Sequence, residues 1–146
     1  MYSLHAAWLN TAECRRLDAF QAKCLRKIIK VQPSYWSRVS NAEILNRTGC
    51  QKLSASLLER QLLLMGDLAR KPDADVLRMW VFQPGGTDVR PPGARKRGRP
   101  RITWTTGVLK QALLIAGSQQ SLSNLWQRTR AAKAAWRNLV YQHCRS

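Results

Sequence analysis

A mainly α fold, a small bundle of about five helices interrupted by a basic loop rich in proline and glycine, is predicted by three observations. Apolar residues recur at three- and four-residue spacing through most of the longer segments. Helix-opening pairs such as Asn10 with Glu13 and Ser40 with Glu43 stand ahead of those segments, and Gly49 and Gly117 stand behind two of them. No stretch shows the convincing alternation of a half-buried strand.

Taken in order, Asn10 and Glu13 form a capping box for a helix that runs to about Lys30, ahead of Pro33. At about 100° per residue, Leu17, Phe20, Cys24, Ile28 and Val31 share one arc, expected to pack. Arg15, Arg16, Lys23, Arg26, Lys27 and Lys30 share a neighbouring, almost wholly cationic arc. A face that is merely soluble mixes Glu with Lys, so this one suggests a partner. Ser40 and Glu43 open a second, short helix through Ile44 and Leu45, with Gly49 as its left-handed stop. A third starts near Ser54 and carries Leu57, Leu58, Leu62, Met65 and Leu68 to Arg70, before Pro72; it is the expected centre of the core. Residues 73–82 admit two readings, a helix capped by Asp73 or Asp75 and a short extended segment at Val81-Phe82.

From Pro84 to Pro100 proline and glycine exclude regular structure. Thr103 caps a helix through Val108, Leu109, Ala112, Leu113 and Ile115, stopped by Gly117. A last helical stretch from about Ser121 carries Leu125, Trp126, Trp136, Leu139 and Val140, with Arg130, Lys133 and Arg137 spaced for one face. Trp36, Trp80, Trp126 and Trp136 are expected in the core, where large aromatics contribute most. The chain therefore divides into 1–83, a linker 84–102, and 103–146.

Charge points to function. The formal net charge is +17 over 146 residues, which favours polyanionic partners. From Val89 to the end there are twelve Lys or Arg and no acid; all eight acids lie in residues 1–88. Arg95-Lys96-Arg97-Gly98-Arg99-Pro100-Arg101 concentrates five cations, and Gly98 and Pro100 keep it extended, so that guanidinium groups can meet successive phosphates. Trp104 follows, available either to stack on a base or to anchor its helix. The candidate nucleic-acid-binding residues are therefore Arg95, Lys96, Arg97, Arg99, Arg101 and Trp104, with Arg16, Lys23, Lys27 and Lys30 on the first helix.

Other chemistry finds little footing. Cys14, Cys24, Cys50 and Cys144 contain no C-x-x-C pair, His5 and His143 sit at opposite ends, and no metal site is expected. They read as buried thiols of a soluble intracellular protein, nuclear or cytoplasmic. No apolar run approaches a membrane span, and Met1–Trp8 lacks the pattern of a signal peptide. Two-metal phosphoryl transfer needs clustered carboxylates, and the one close pair, Asp73 and Asp75, precedes a helix rather than sitting in a strand–turn–strand. No catalytic residue and no cofactor is expected.

An ordered set of short motifs adds a resemblance. Trp8, Arg15-Arg16-Leu17-Asp18-Ala19-Phe20-Gln21, Lys23-Cys24-Leu25-Arg26-Lys27-Ile28, Arg38-Val39-Ser40-Asn41-Ala42-Glu43-Ile44-Leu45 and Arg47-Thr48-Gly49 come first. Leu53-Ser54, Arg60-Gln61-Leu62, Arg97-Gly98-Arg99-Pro100-Arg101-Ile102-Thr103-Trp104 and Ala135-Trp136-Arg137-Asn138-Leu139-Val140 follow. The series is similar to the region after the palm in reverse transcriptases of non-LTR (LINE-type) retrotransposons. The resemblance implies a thumb-like helical region that holds template–primer duplex, RNA–DNA or DNA, through its phosphates, without the palm's carboxylates or an endonuclease. It reaches Tyr2, which reads the chain as the product of a truncated element that would otherwise carry the rest of the polymerase. Two alternatives stand beside it. Arg97-Gly98-Arg99-Pro100 resembles an AT-hook core for the minor groove of A·T-rich DNA. A helical protein-interaction domain whose basic cluster is a nuclear-import signal fits the same charges.

Overall fold

A computed structural model describes residues 4–91 and 103–145. After a single 3-10 turn at Leu4–Ala6 come eight α-helices among the described residues. These are α1 (Thr11–Ile28), α2 (Ser34–Ser37), α3 (Asn41–Thr48), α4 (Leu53–Ala69), α5 (Val76–Val81), α6 (Trp104–Ala116), α7 (Gln119–Leu125) and α8 (Arg130–Arg145). The protein is mainly α, with more and shorter helices than the five expected. No helix among the described residues is long and apolar enough to cross a membrane.

Local chemistry explains the boundaries. Asn10 Oδ1 accepts from Glu13 N at 2.9 Å while Glu13 Oε2 accepts from Asn10 N at 2.7 Å, which satisfies two otherwise orphaned donors of α1. Ser40 Oγ caps α3 through Glu43 N at 3.1 Å, but the box is only half closed, because the Glu43 carboxylate turns to Arg47 Nε at 2.9 Å. Thr103 caps α6 in a box with Thr106. Gly49 and Gly117 stop α3 and α6 at φ 63° and 78°, a backbone region costly for residues with a Cβ. Asp75 resolves the ambiguity at 73–82: its Oδ1 accepts from Leu77 N and Arg78 N, opening α5, and Phe82 beyond it makes an isolated antiparallel bridge with Val89. A hydrogen bond from Lys71 Nζ, the first cause, holds the Asp75 carboxyl below the usual range.

The chain forms two compact units, Leu9–Leu57 and Met1–Trp8 with Leu58–Cys144. This differs from the expected division at 83 and 102, because helices on both sides of that linker share one core. Leu62, Met65 and Leu68 of α4, Val108 and Ala112 of α6, Leu122 of α7, and Trp136 and Val140 of α8 are buried together with Phe82 and Trp126. Val89 packs against this core, and Arg90 Nε donates to Phe82 O at 3.1 Å, so the first residues of the expected linker belong to the packed unit. The last helical stretch is two helices rather than one. Arg128 in the break donates to Lys71 O at 2.9 Å and Asp73 Oδ1 at 3.2 Å, and Thr129 Oγ1 accepts from Ala132 N in the first turn of α8.

Trp136 sets the spacing of the core. Its Nε1 donates to Leu62 O at 3.2 Å, one turn before Gly66, so the indole crosses the backbone of α4. A Cβ at residue 66 would lie 2.7 Å from Trp136 Cδ1 and closer still to Nε1. Trp126 meets Trp136 edge to face at 5.8 Å, and Phe82 meets Trp126 in the same way at 5.8 Å. The buried Arg78 crowns this aromatic row: its guanidinium lies 5.3 Å from the Phe82 centroid and donates to Asp73, Ala69 O and Gly86 O. Gly66→Ala should therefore destabilise by about 1–3 kcal/mol through overpacking, lowering the melting temperature by several degrees. In a Trp136→Phe background the loss should shrink, which thermal denaturation of the four-member cycle would measure.

Candidate nucleic-acid interface

The candidate residues fall in three places. Arg95, Lys96, Arg97, Arg99 and Arg101 lie outside the described residues. Trp104 belongs to the unit of Leu58–Cys144, and the α1 cations belong to Leu9–Leu57.

Trp104 is partly buried against the apolar core, and its Nε1 donates to His5 O at 2.8 Å. Of the two roles open to it, the geometry supplies the anchor. Beside it Gly107 gives close passage to Trp8, whose Cδ2 would stand 2.5 Å from any Cβ there. The N-terminal segment is thus fastened to α6 by two indoles.

On α1 the exposed side is not the one that apolar periodicity suggests. Ala22 and Arg26 are its buried residues, while Phe20 and Ile28 are 63% and 73% exposed. What turns the helix is a set of polar tethers. Asp18 Oδ1 accepts from Ser54 N at 2.9 Å, and Asp18 Oδ2 from Ser54 Oγ at 2.7 Å. Gln21 Oε1 accepts from Leu53 N at 2.8 Å, and its Nε2 donates to Gln51 O at 2.7 Å. These α1 side chains take the place of a local N-cap for α4 and satisfy its first free N–H groups. Arg26, expected on the cationic face, instead donates to Gln32 O, Ser37 Oγ, Val39 O and Asn41 Oδ1. A guanidinium is suited to this, since its planar fork serves several acceptors at once.

The solvent side of α1 carries Arg16, Phe20, Lys23 and Lys27, all exposed, at successive spacings of four, three and four residues. That is a single stripe spanning about 16 Å, or about five base-pair steps of B-DNA. Lys30 lies past the end of the helix, at φ 56°, rather than on it. The three acids of Leu9–Leu57 are all engaged elsewhere: Glu13 in its cap, Asp18 on Ser54, and Glu43 on Arg47. None forms an ion pair with Arg16, Lys23, Lys27 or Lys30 among the described residues.

The α8 face is different. Lys133 Nζ pairs with Asp67 at 3.3 Å, and Asp67 also meets Arg70 at 3.7 Å. Asp73 pairs with both Arg78 and Arg128, and Lys71 with Asp75. Acids from residues 67–75 thus offset part of the C-terminal charge that looked uncompensated in sequence. Burial, the first cause, lowers the pKa of Arg70.

Two further expectations need correction. Trp36 and Trp80 are 74% and 78% exposed; Trp126 and Trp136 alone of the four expected core tryptophans are buried. Cys50 is exposed and the other three thiols are partly buried. Burial first, then Asp18 and Glu13, push the Cys14 thiol up, which keeps it protonated and a poor nucleophile. Among the described residues no three His, Cys, Asp or Glu side chains are grouped to hold a metal ion. Comparison with protein-family models, curated proteins and solved structures finds no match to this chain.

The two kinds of α1 cation should separate by mutation. Arg26→Leu strips four acceptors of a charged donor and should cost about 1.5–3 kcal/mol in denaturant unfolding. Lys23→Gln and Lys27→Gln should each stay within about 0.5 kcal/mol of the parent.

Proposed function

We propose that this chain is a non-catalytic nucleic-acid-binding segment, thumb-like in the sense of the region after the palm in non-LTR retrotransposon reverse transcriptases. In this reading it holds template–primer duplex through phosphate contacts. The observation that carries the reading is the stripe of Arg16, Lys23 and Lys27 in a unit whose every carboxylate is already engaged. The acids of this unit are bound in a cap, a tether and a surface ion pair, while Arg16, Lys23 and Lys27 are left without an ion-pair partner among the described residues. The basic heptad at 95–101 supplies a second run of cations in the same chain. The motifs that carry the resemblance also have physical work to do. Asp18 and Gln21 meet Leu53 and Ser54, Arg26 braces residues 32–41, and Gln61 Nε2 donates to Ala7 O.

The non-catalytic part of this reading is supported by what the carboxylates do. Asp73 is held by Arg78 and Arg128, and Asp75 by Lys71 and two backbone amides, so neither is free to help hold a pair of divalent ions. Primer-extension and nicking assays with Mg²⁺ or Mn²⁺ should both be blank, and turnover surviving stringent purification would overturn that part.

Binding should be electrostatic. If about six cations engage phosphates, log affinity should fall against log salt with a slope of roughly −5 on duplex DNA. Serine at Arg95, Lys96, Arg97, Arg99 and Arg101 should weaken RNA–DNA duplex binding at least tenfold, about 1.4 kcal/mol, and flatten that slope by several units. Glutamine at Arg16, Lys23, Lys27 and Lys30 should weaken it further. A strong preference for A·T-rich duplex would favour the AT-hook reading. Loss of nuclear accumulation with duplex affinity unchanged would favour the import signal.

A further inference from the structure

Beyond phosphate contacts, the unit Leu9–Leu57 displays something a duplex backbone does not require. Tyr35 and Trp36 are each 74% exposed, and their rings meet edge to face, with centroids 5.2 Å apart and planes at 84°. Both stand on α2, a helix of four residues. Large aromatics are normally drawn into a core, as Trp126 and Trp136 are in this chain.

The pair is not on a loosely held loop. Arg26, itself buried, donates to Gln32 O before α2, to Ser37 Oγ at its end, and to Val39 O and Asn41 Oδ1 after it. Ser37 Oγ also donates to Pro33 O at 3.2 Å, and Pro33 fixes the backbone on entry. The backbone that carries the two rings is therefore held in place, which lowers the ordering cost for whatever meets them.

The flanks of α2 specify the chemistry of that partner. Lys30 and Arg38 are exposed, at φ 56° and 57°, a backbone region that glycine would occupy more comfortably than a cation. Neither forms an ion pair among the described residues, and the carboxylates of Glu13, Asp18 and Glu43 are engaged elsewhere. An apolar protein surface laid over the pair would strip water from two unpaired cations. A single-stranded nucleic acid satisfies both features: its bases have π faces to stack, and its phosphates meet the cations.

We propose that Trp36, seconded by Tyr35, is a stacking platform for an unpaired base of a single-stranded nucleic acid, with Lys30 and Arg38 taking the flanking phosphates. This rests on the nucleic-acid reading above and deepens it. It assigns to this unit a preference for unpaired nucleotides, such as a template overhang, in addition to duplex.

The test is titration of the full chain with a short labelled single-stranded DNA and with a blunt-ended duplex of the same sequence. Trp36→Ala should weaken single-strand binding about fivefold or more, the effect of losing one stacked base, and leave the blunt duplex within about twofold. Trp36→Phe should restore most of the single-strand affinity. Part of the tryptophan emission of the parent should be quenched by the single strand, and that part should be missing in Trp36→Phe. Because Trp36 is exposed, both variants should melt with the parent, which separates binding from folding. Single-strand binding unchanged in Trp36→Ala overturns the proposal while leaving the salt-dependent duplex binding intact. Equal weakening on both ligands overturns it too, since that marks a general contact. A parent that sediments as a dimer, and a monomeric Trp36→Ala, would give the pair to self-association instead. If the parent binds neither ligand, the nucleic-acid reading fails and this inference with it.

Discussion

The indole of Trp136 occupies space that any side chain at residue 66 would need, and its N–H takes a carbonyl of the helix it crosses. That one seat joins α8 to α4 at a separation set by an aromatic ring lying on bare backbone. The remaining contacts of the larger unit follow from it. Trp126 stands against the edge of Trp136, Phe82 against Trp126, and Arg78 over Phe82, so a row of rings leads from the C-terminal helix to the turn after α5. At about 1 kcal/mol for each edge-to-face pair beyond area burial, the row is a major term for a protein of this size.

The smaller unit has no such row and is held by polar groups instead. Its buried apolar residues are Ala22, Ile44 and Leu57. Asp18, Gln21 and Arg26 do what large side chains do elsewhere, with the difference that each bond has a direction. They rotate α1 so that its lysines and Phe20 face water. The pairing at the surface is thus shaped by the fold: Glu13 sits in a cap, Asp18 in a tether and Glu43 against Arg47, and Arg16, Lys23 and Lys27 are left without an ion-pair partner among the described residues.

Much of the fold was legible because helix ends are written locally. Asn10 with Glu13, Ser40, Asp75 and Thr103 act over two or three residues, and Gly49 and Gly117 act at a single one, so no knowledge of distant contacts is needed to read them. Periodicity is less complete. It groups residues on an arc but does not say which arc meets a partner, and on α1 the polar tethers chose the side of Arg26 over that of Phe20 and Ile28. The same limit applies to tryptophan. Nothing within a few residues of Trp36 or Trp136 distinguishes the exposed ring from the one buried over Gly66. Spacing places Arg16, Lys23 and Lys27 on the exposed side of α1, but it misplaces Lys30, which lies past the helix end, and Arg26, whose four acceptors lie six to fifteen residues away. The acids that offset Arg128 and Lys133 are Asp73 and Asp67, which a count along the chain cannot connect to them.

The capping of α4 by α1 has a consequence for how this sequence can change. Both oxygens of Asp18 are in use on one residue, Ser54, 36 positions away. Asparagine at 18 keeps one acceptor and sets an amide against the hydroxyl. Alanine at 54 keeps the backbone donor and strands the second oxygen. Each substitution changes what the other position must supply, so the two positions should couple, and the order of substitutions matters as well as their identity. A helix that borrows its first turn from a distant side chain therefore gives the lineage a memory: what is tolerated at one site depends on what has already happened at the other.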